Sequence, residues 1–256
     1  MNLMNNMLAR FAVLASVALA PACTNAQNLL TDGDLSDWTT DIFQDLPDHW
    51  QLVSNPTPPT RFPALGQDFA DHTTRHQVDA ANRGLWYLPF EGNYPGYPDV
   101  ELVDADLSQV VPATPGVKYG LAGWALFENG YAGGVDTIDP ASPSPRAGMP
   151  SLTDTYFALE FLDHLDLEIS SVELELKAAG QVNGAGWKRH ILTGIAPLGT
   201  AKVRVRASMV DGEFNIDNPN QSAFVDDFVL QVVPEPTTGL LGVFGLSCLV
   251  TVRRRS

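Results

Sequence analysis

The chain has 256 residues, 45% of them hydrophobic, which is enough apolar matter for one large core or two small ones. It carries 30 Asp and Glu against 15 Lys and Arg, a formal net charge of −15, and so repels phosphate backbones; nucleic-acid binding is excluded as a working reading. The 2 cysteines, Cys23 and Cys248, fall in the terminal segments, so the stretch between them holds no disulfide, thiolate nucleophile or Cys-based metal site.

Residues 1–26 read as a secretory signal for signal peptidase. A polar start ends in Arg10, an apolar run follows from Phe11 to Ala20, and a small-residue region closes at Ala26. Ala20-Pro21-Ala22 before Cys23 raises a lipoprotein reading. A lipid-attachment box, however, places leucine where this chain has Ala20.

Residues 27–232 show short β-like runs separated by Gly, Pro, Asn and Asp, with no amphipathic helix. Phe157, Leu159 and Phe161 alternate with Ala158 and Glu160. Val172, Leu174 and Leu176 alternate with Glu173, Glu175 and Lys177, and Val203, Val205 and Ala207 with Arg204, Arg206 and Ser208. Further strands are expected at Trp50–Val53, Gly84–Phe90, Leu107–Val111, Val117–Phe127, Trp187–Thr193 and Ala223–Val232. One apolar face per strand predicts an all-β, antiparallel sandwich. The proline-rich stretches Asn55–Pro63 and Asp139–Pro150 are expected as long loops within one domain, not as linkers.

Several phrases in this region resemble a jelly-roll family related to galactose-binding-like and carbohydrate-binding modules. They are Asn28-Leu29-Leu30-Thr31-Asp32-Gly33-Asp34-Leu35 at the start, Pro115-Gly116-Val117-Lys118-Tyr119 before a central strand, and Phe157-Ala158-Leu159-Glu160-Phe161-Leu162-Asp163. Trp187, then Gly194-Ile195-Ala196-Pro197-Leu198-Gly199-Thr200, and the closing Phe224-Val225-Asp226-Asp227-Phe228-Val229-Leu230 follow in order. The resemblance implies a jelly roll with either a glycan-binding or a plain structural role. Such jelly rolls often hold a structural Ca2+ between the last strand and the opening loop. That carries over here to Asp32, Asp34, Ser36 and Asp226, oxygen ligands suited to a hard cation, although many relatives have glutamate at the position of Ser36. The competing reading is a hydrogen-bonded Asp226 that caps a loop. Strand alternation puts Asp226 on one face with Phe224, Phe228 and Leu230.

Residues 233–256 form a tail of three parts: Pro234-Glu235-Pro236, the apolar run Gly239 to Val252, and Arg253-Arg254-Arg255. The prolines end the preceding strand and leave an extended backbone. The apolar run reads as a short transmembrane helix, and the arginines hold its end on the cytoplasmic side. In order and content this resembles the PEP-CTERM sorting signal. The resemblance implies transient anchoring in the inner membrane, processing by an exosortase-type enzyme and a bacterium that makes exopolysaccharide. An ordinary tail anchor is the other reading.

Ligand contact is sought in Trp86, Tyr87, Tyr94 and Tyr97, because sugar C–H faces stack on aromatic rings while Asn93 and neighbouring carboxylates take the hydroxyls. The other reading makes Trp86 core and the tyrosines pins of a long loop. His72 and His76 form an H-x-x-x-H pair without a glutamate base and are read as surface histidines. There is no nucleophile elbow, phosphate loop or nucleotide fingerprint. The reading is an exported, non-enzymatic protein of the cell envelope or extracellular matrix. The alternatives are a glycan-binding module for extracellular polysaccharide and, further off, a hydrolase.

Overall fold

The structure is a computed structural model, and it describes residues 27–40, 45–55, 65–68, 84–87, 102–142, 144–215 and 221–234. The expected signal helix and tail helix lie outside these residues. Among the described residues no helix is long and apolar enough to cross a membrane.

The described strands are β1 (Trp38–Thr40), β2 (Asp45–Pro47), β3 (Gln51–Asn55), β4 (Leu65–Asp68), β5 (Gly84–Tyr87), β6 (Val103–Pro112), β7 (Lys118–Phe127), β8 (Asp154–Leu162), β9 (Glu168–Glu175), β10 (Lys188–Ile195), β11 (Lys202–Gly212) and β12 (Ala223–Val232). β1 and β2 form a small hairpin. The rest make two antiparallel five-stranded sheets, in the orders β10-β7-β12-β5-β4 and β3-β6-β11-β8-β9. The two sheets pack face to face as a jelly-roll sandwich. Successive strands cross between sheets, so the core closes only when distant parts of the chain meet.

The core is where alternation puts it. Phe157, Leu159 and Phe161 of β8 face Val203, Val205 and Ala207 of β11 in register, and all are buried. Tyr119, Leu121, Ala125 and Phe127 of β7 close it from the other sheet. Phe157 stacks edge-on against Phe228 with ring centroids 5.2 Å apart. Each such ring stabilises the fold by about 1.5–3 kcal/mol through burial alone.

On the solvent face of the second sheet, Glu160 is buried between two arginines. Its carboxylate accepts from Arg204 Nε and, at 2.6 Å, from Arg206 Nε. Arg206 also reaches Glu173 at 2.9 Å and Asp106 at 3.3 Å. The alternating charges of β8, β9 and β11 thus join three strands side to side. The Asp139–Pro150 stretch is a loop within the domain, as expected. Arg146 Nε donates to the fully buried Glu213 at 2.6 Å, and Asp139 N donates to Asn215 Oδ1 at 2.8 Å.

One expectation needs correction. Phe224, Asp226, Phe228 and Leu230 do not share a face. The β12–β7 ladder slips between Asp226 and Val229, so two residues, Asp227 and Phe228, sit opposite Gly123 alone. Asp227 takes a positive φ of 48°. This bulge reverses the alternation. Ala223, Val225, Phe228 and Leu230 line the core, while Phe224 and Asp226 lie on the outer face.

The inward side of β10 carries His190, which is buried edge-on to Phe157 with its Nε2 3.0 Å from Gln181 Oε1. Since Gln181 Oε1 can only accept, Nε2 holds the proton of a neutral ring. Burial, with help from the Lys188 charge, pushes the His190 pKa from 6.5 down to about 4. As pH falls through that window the unfolded chain takes up a proton that the folded chain refuses, so stability is lost on acidification. The melting temperature of the wild type should fall more than that of His190→Gln between about pH 7 and pH 4. Parallel curves would show that His190 does not titrate as a buried neutral group.

Candidate functional site

The β12 bulge has a simple steric cause. A Cβ on Gly123 would lie 2.8 Å from two carbons of the Phe228 ring, so glycine leaves the space that the ring fills. The opening segment then fixes the bulged strand from its open side. Phe228 N donates to Gly33 O at 2.6 Å and Leu29 N to Leu230 O at 2.8 Å. Asn28 Nδ2 donates to Phe228 O, and Asn28 Oδ1 accepts from Leu230 N, both at 2.9 Å. Gly33 has no room for a side chain, because a Cβ there would meet Phe228 O at 2.3 Å.

With Asp226 on the outside, the outer face of β10-β7-β12-β5-β4 acquires a definite chemistry. Arg189 of β10, Trp124 of β7 and Asp226 of β12 are consecutive cross-strand partners in one row. Neighbouring strands are about 4.8 Å apart, so this row spans roughly 10 Å. In the next row Leu126 pairs with Phe224, and Phe224 with Trp86. Trp187, just before β10, stands edge-on to Phe224 with ring centroids 6.3 Å apart. Trp124 and Trp187 are half-buried and Arg189 is exposed, whereas Phe224 and Asp226 are buried. Asp226 Oδ1 accepts from Asp227 N at 2.8 Å. The row below, Ile191, Ala122 and Val229, extends the face with apolar side chains, Ile191 being exposed. The result is a platform that offers Trp124, Trp187 and the exposed Arg189, with Phe224 and the Asp226 carboxylate buried beside them.

Of the residues sought for ligand contact, Trp86 is the cross-strand partner of Phe224 and Tyr87 that of Ala223. Tyr94 and Tyr97, like His72 and His76, lie outside the described residues. The sequence reading missed Trp124, Trp187, Phe224 and Arg189. The signal for Trp124 was present, since a strand that buries Leu121 and Ala125 turns Trp124 outward.

The opening loop gathers Asp32, Asp34 and Ser36. Asp32 Oδ1 accepts from Ser36 N at 2.8 Å and Asp37 N at 3.1 Å, and Ser36 Oγ lies 3.1 Å from Asp34 Oδ1. Asp32 Oδ2 is buried with no hydrogen-bond partner. Burial, opposed by the two backbone bonds, pushes the Asp32 carboxyl up to about 6. Among the described residues no three His, Cys, Asp or Glu side chains converge to hold a metal, so Asp226 does not join Asp32 and Asp34. An open depression of about 510 Å3 lies on the opposite sheet, lined by residues that include Val110, Leu162, Lys202 and Arg204 and by no aromatic ring.

No family model matches the chain, and no curated protein matches it. Solved structures of similar strand layout include the enzymatically active domain of bacteriophage CBA120 tailspike protein 4, with a TM-score of 0.47 and 11% identity over 80% of this chain and 21% of that one. The carbohydrate-binding module TmCBM61, solved with beta-1,4-galactotriose, gives a TM-score of 0.43 and 17% identity over 81% of this chain and 100% of the module. A family 16 carbohydrate-binding module gives 0.38 and 12% over 79% and 99%. At these scores the likeness carries no inference about ligand.

Proposed function

We propose that the chain is an exported glycan-binding module that acts without catalysis, and that its site is the outer face of β10-β7-β12-β5-β4. The observation that carries the reading is the pair of half-buried tryptophans, Trp124 and Trp187, beside Arg189 and Asp226. Sugars offer C–H faces to indole rings and hydroxyls to an exposed guanidinium. Trp86, the cross-strand partner of Phe224, and Tyr94 and Tyr97, which follow it in sequence, are carried as further candidate contacts. The acidic charge of the chain favours a neutral polysaccharide over an anionic one. In this reading residues 1–26 direct export through signal peptidase. The tail from Pro234 onward, with Glu235, Pro236 and Arg253 to Arg255, holds the protein in the inner membrane until an exosortase-type enzyme releases it to the envelope.

The loop of Asp32, Asp34 and Ser36 is proposed as a structural Ca2+ site. A buried carboxylate oxygen with no donor, beside a second carboxylate and a hydroxyl, has the chemistry a hard cation accepts. The ion would supply the charge that Asp32 Oδ2 lacks and would stiffen the segment stitched to β12.

Three outcomes follow. Trp124→Ala and Trp187→Ala should each weaken retention on a neutral-polysaccharide affinity gel by about thirtyfold, the ~2 kcal/mol of an aromatic anchor, with a small change in Tm. No retention of the wild type on any polysaccharide would sink the binding reading, and new reducing ends during incubation would mean a hydrolase. Ca2+ at a hundredfold excess over its dissociation constant should add about 2.7 kcal/mol of stability, and Asp32→Asn should remove the effect. Melting curves identical with and without chelator would leave Asp32 a loop cap only. Mass spectrometry of the native exported protein should find no peptide ending at Ser256. Intact C-termini in most molecules would instead mean a plain tail anchor.

A further inference from the structure

The strand ends distribute unequally between the two ends of the sandwich. At one end lie the Trp187–Phe224 contact and the start of β12. At the other the chain enters beside Leu230, through Leu29, and leaves through Val233, whose N donates to Lys118 O at 2.8 Å. Lys118 is in turn the cross-strand partner of Ile195. The exit is therefore one strand away from the β10–β11 connection.

That exit end is unusually apolar on its surface. Leu198, in the β10–β11 connection, is 92% exposed, and Ile195 at the end of β10 is 63% exposed. Leu165 and Leu167, in the β8–β9 connection, are 64% and 62% exposed, and Ile169 follows at 40%. The two connections are neighbours. Ala201 N donates to Leu162 O at 2.8 Å, Lys202 Nζ bridges to Asp166 at 2.6 Å, and a Cβ on Gly199 would sit 3.6 Å from Ile169 Cδ1. Isolated exposed leucines need no account, but a cluster of five on adjacent loop tips does.

The geometry points to a lipid bilayer as the occupant of this tip, an inference that rests on the tail of the preceding reading being a membrane anchor. From Pro234 to the start of the apolar run at Gly239 is five residues, which reach at most about 18 Å when extended. The exit end is thus tethered against the surface that the run enters. As a helix, Gly239 to Val252 would cover only about 21 Å of a hydrocarbon core about 30 Å thick. A tip that beds Leu165, Leu167, Ile195 and Leu198 in the headgroup region adds apolar burial beside this short span. The occupant is a lipid surface and not a second copy, because the apolar groups sit on projecting loop tips, with no flat sheet face to meet an identical surface. The acids Asp163, Asp166 and Glu168 stand against Lys118 and Lys202, so a zwitterionic surface suits the tip better than an anionic one. Seated this way, the aromatic row at the opposite end of the strands is turned away from the membrane.

The full chain with Cys23→Ser, in phosphatidylcholine vesicles, tests both layers of the inference. Native Cys248, carrying an environment-sensitive fluorophore, reports on the tail. In a Cys23→Ser, Cys248→Ser background, Leu198→Cys reports on the tip and Met149→Cys, on the β7–β8 connection at the far end, is the control. Lipid-borne doxyl should quench the label at position 198 several-fold more than at 149, and aqueous iodide should do the reverse. Equal iodide quenching at 198 and 149, with Cys248 quenched by doxyl, overturns the docked tip and spares the anchor. Iodide access at Cys248 overturns the anchor, and the docked tip falls with it.

Discussion

The arrangement of this molecule depends on a packing constraint between two residues that are distant in the chain: the ring of Phe228 occupies the place of a side chain on Gly123. Because glycine leaves that place open, β12 can carry an extra residue opposite it, and Asp227 absorbs the irregularity with a positive φ. The consequence is a change of face. Without the bulge, a strand that buries Val225 would turn Phe228 outward and break the aromatic contact with Phe157. With it, Phe228 completes the core, and Asp226 stands outside beside Trp124. A carboxylate on the platform and an aromatic ring in the core are thus one feature seen from two sides.

The bulge also explains the opening segment. Among the described residues β5 pairs with β12 from Ala223 to Val225, and the edge of β12 beyond that point needs other backbone partners. Residues Asn28 to Gly33 take the place of β5 along this edge, and the side chain of Asn28 serves one donor and two acceptor bonds there. The same segment is held to the other sheet, where Gln109 exchanges hydrogen bonds with Thr31 and Trp50 Nε1 donates to Asp32 O at 2.8 Å. The opening loop, whatever ion it holds, is therefore also a clamp between the two sheets.

The legible parts of the fold were those with local alternation. β8 and β11 could be read from residue to residue, because one buried face leaves a period of two in the sequence. β6 was read short at its start. Asp104 and Asp106 look like loop residues, yet each has a partner far along the chain: Asp104 Oδ1 accepts from Asp211 N at 2.9 Å, and Asp106 pairs with Arg206. The face of Asp226 was illegible for the same reason, since the bulge is dictated by Gly123 and fixed by Asn28. Asp226 was singled out in advance only as a metal ligand, and Trp86 alone of the aromatic residues near it was sought for ligand contact, because attention to glycine-rich, tyrosine-bearing loops favours residues that are close in sequence. A platform built across neighbouring strands collects its residues from distant parts of the chain.

That collection has a mechanical consequence. Arg189, Trp124 and Asp226 belong to three neighbouring strands of a sheet whose other side is the shared core, so their spacing is set by the ladder and not by loop conformation. Little ordering entropy then remains to be lost when a ligand settles on the rings. A flat, preordered aromatic row tolerates a long polymer sliding along it, because stacking is much the same from one sugar to the next. A loop that must close around its ligand would instead select an end or a single residue. If the proposed glycan reading holds, a strand-built site fits the interior of a polysaccharide chain better than its terminus.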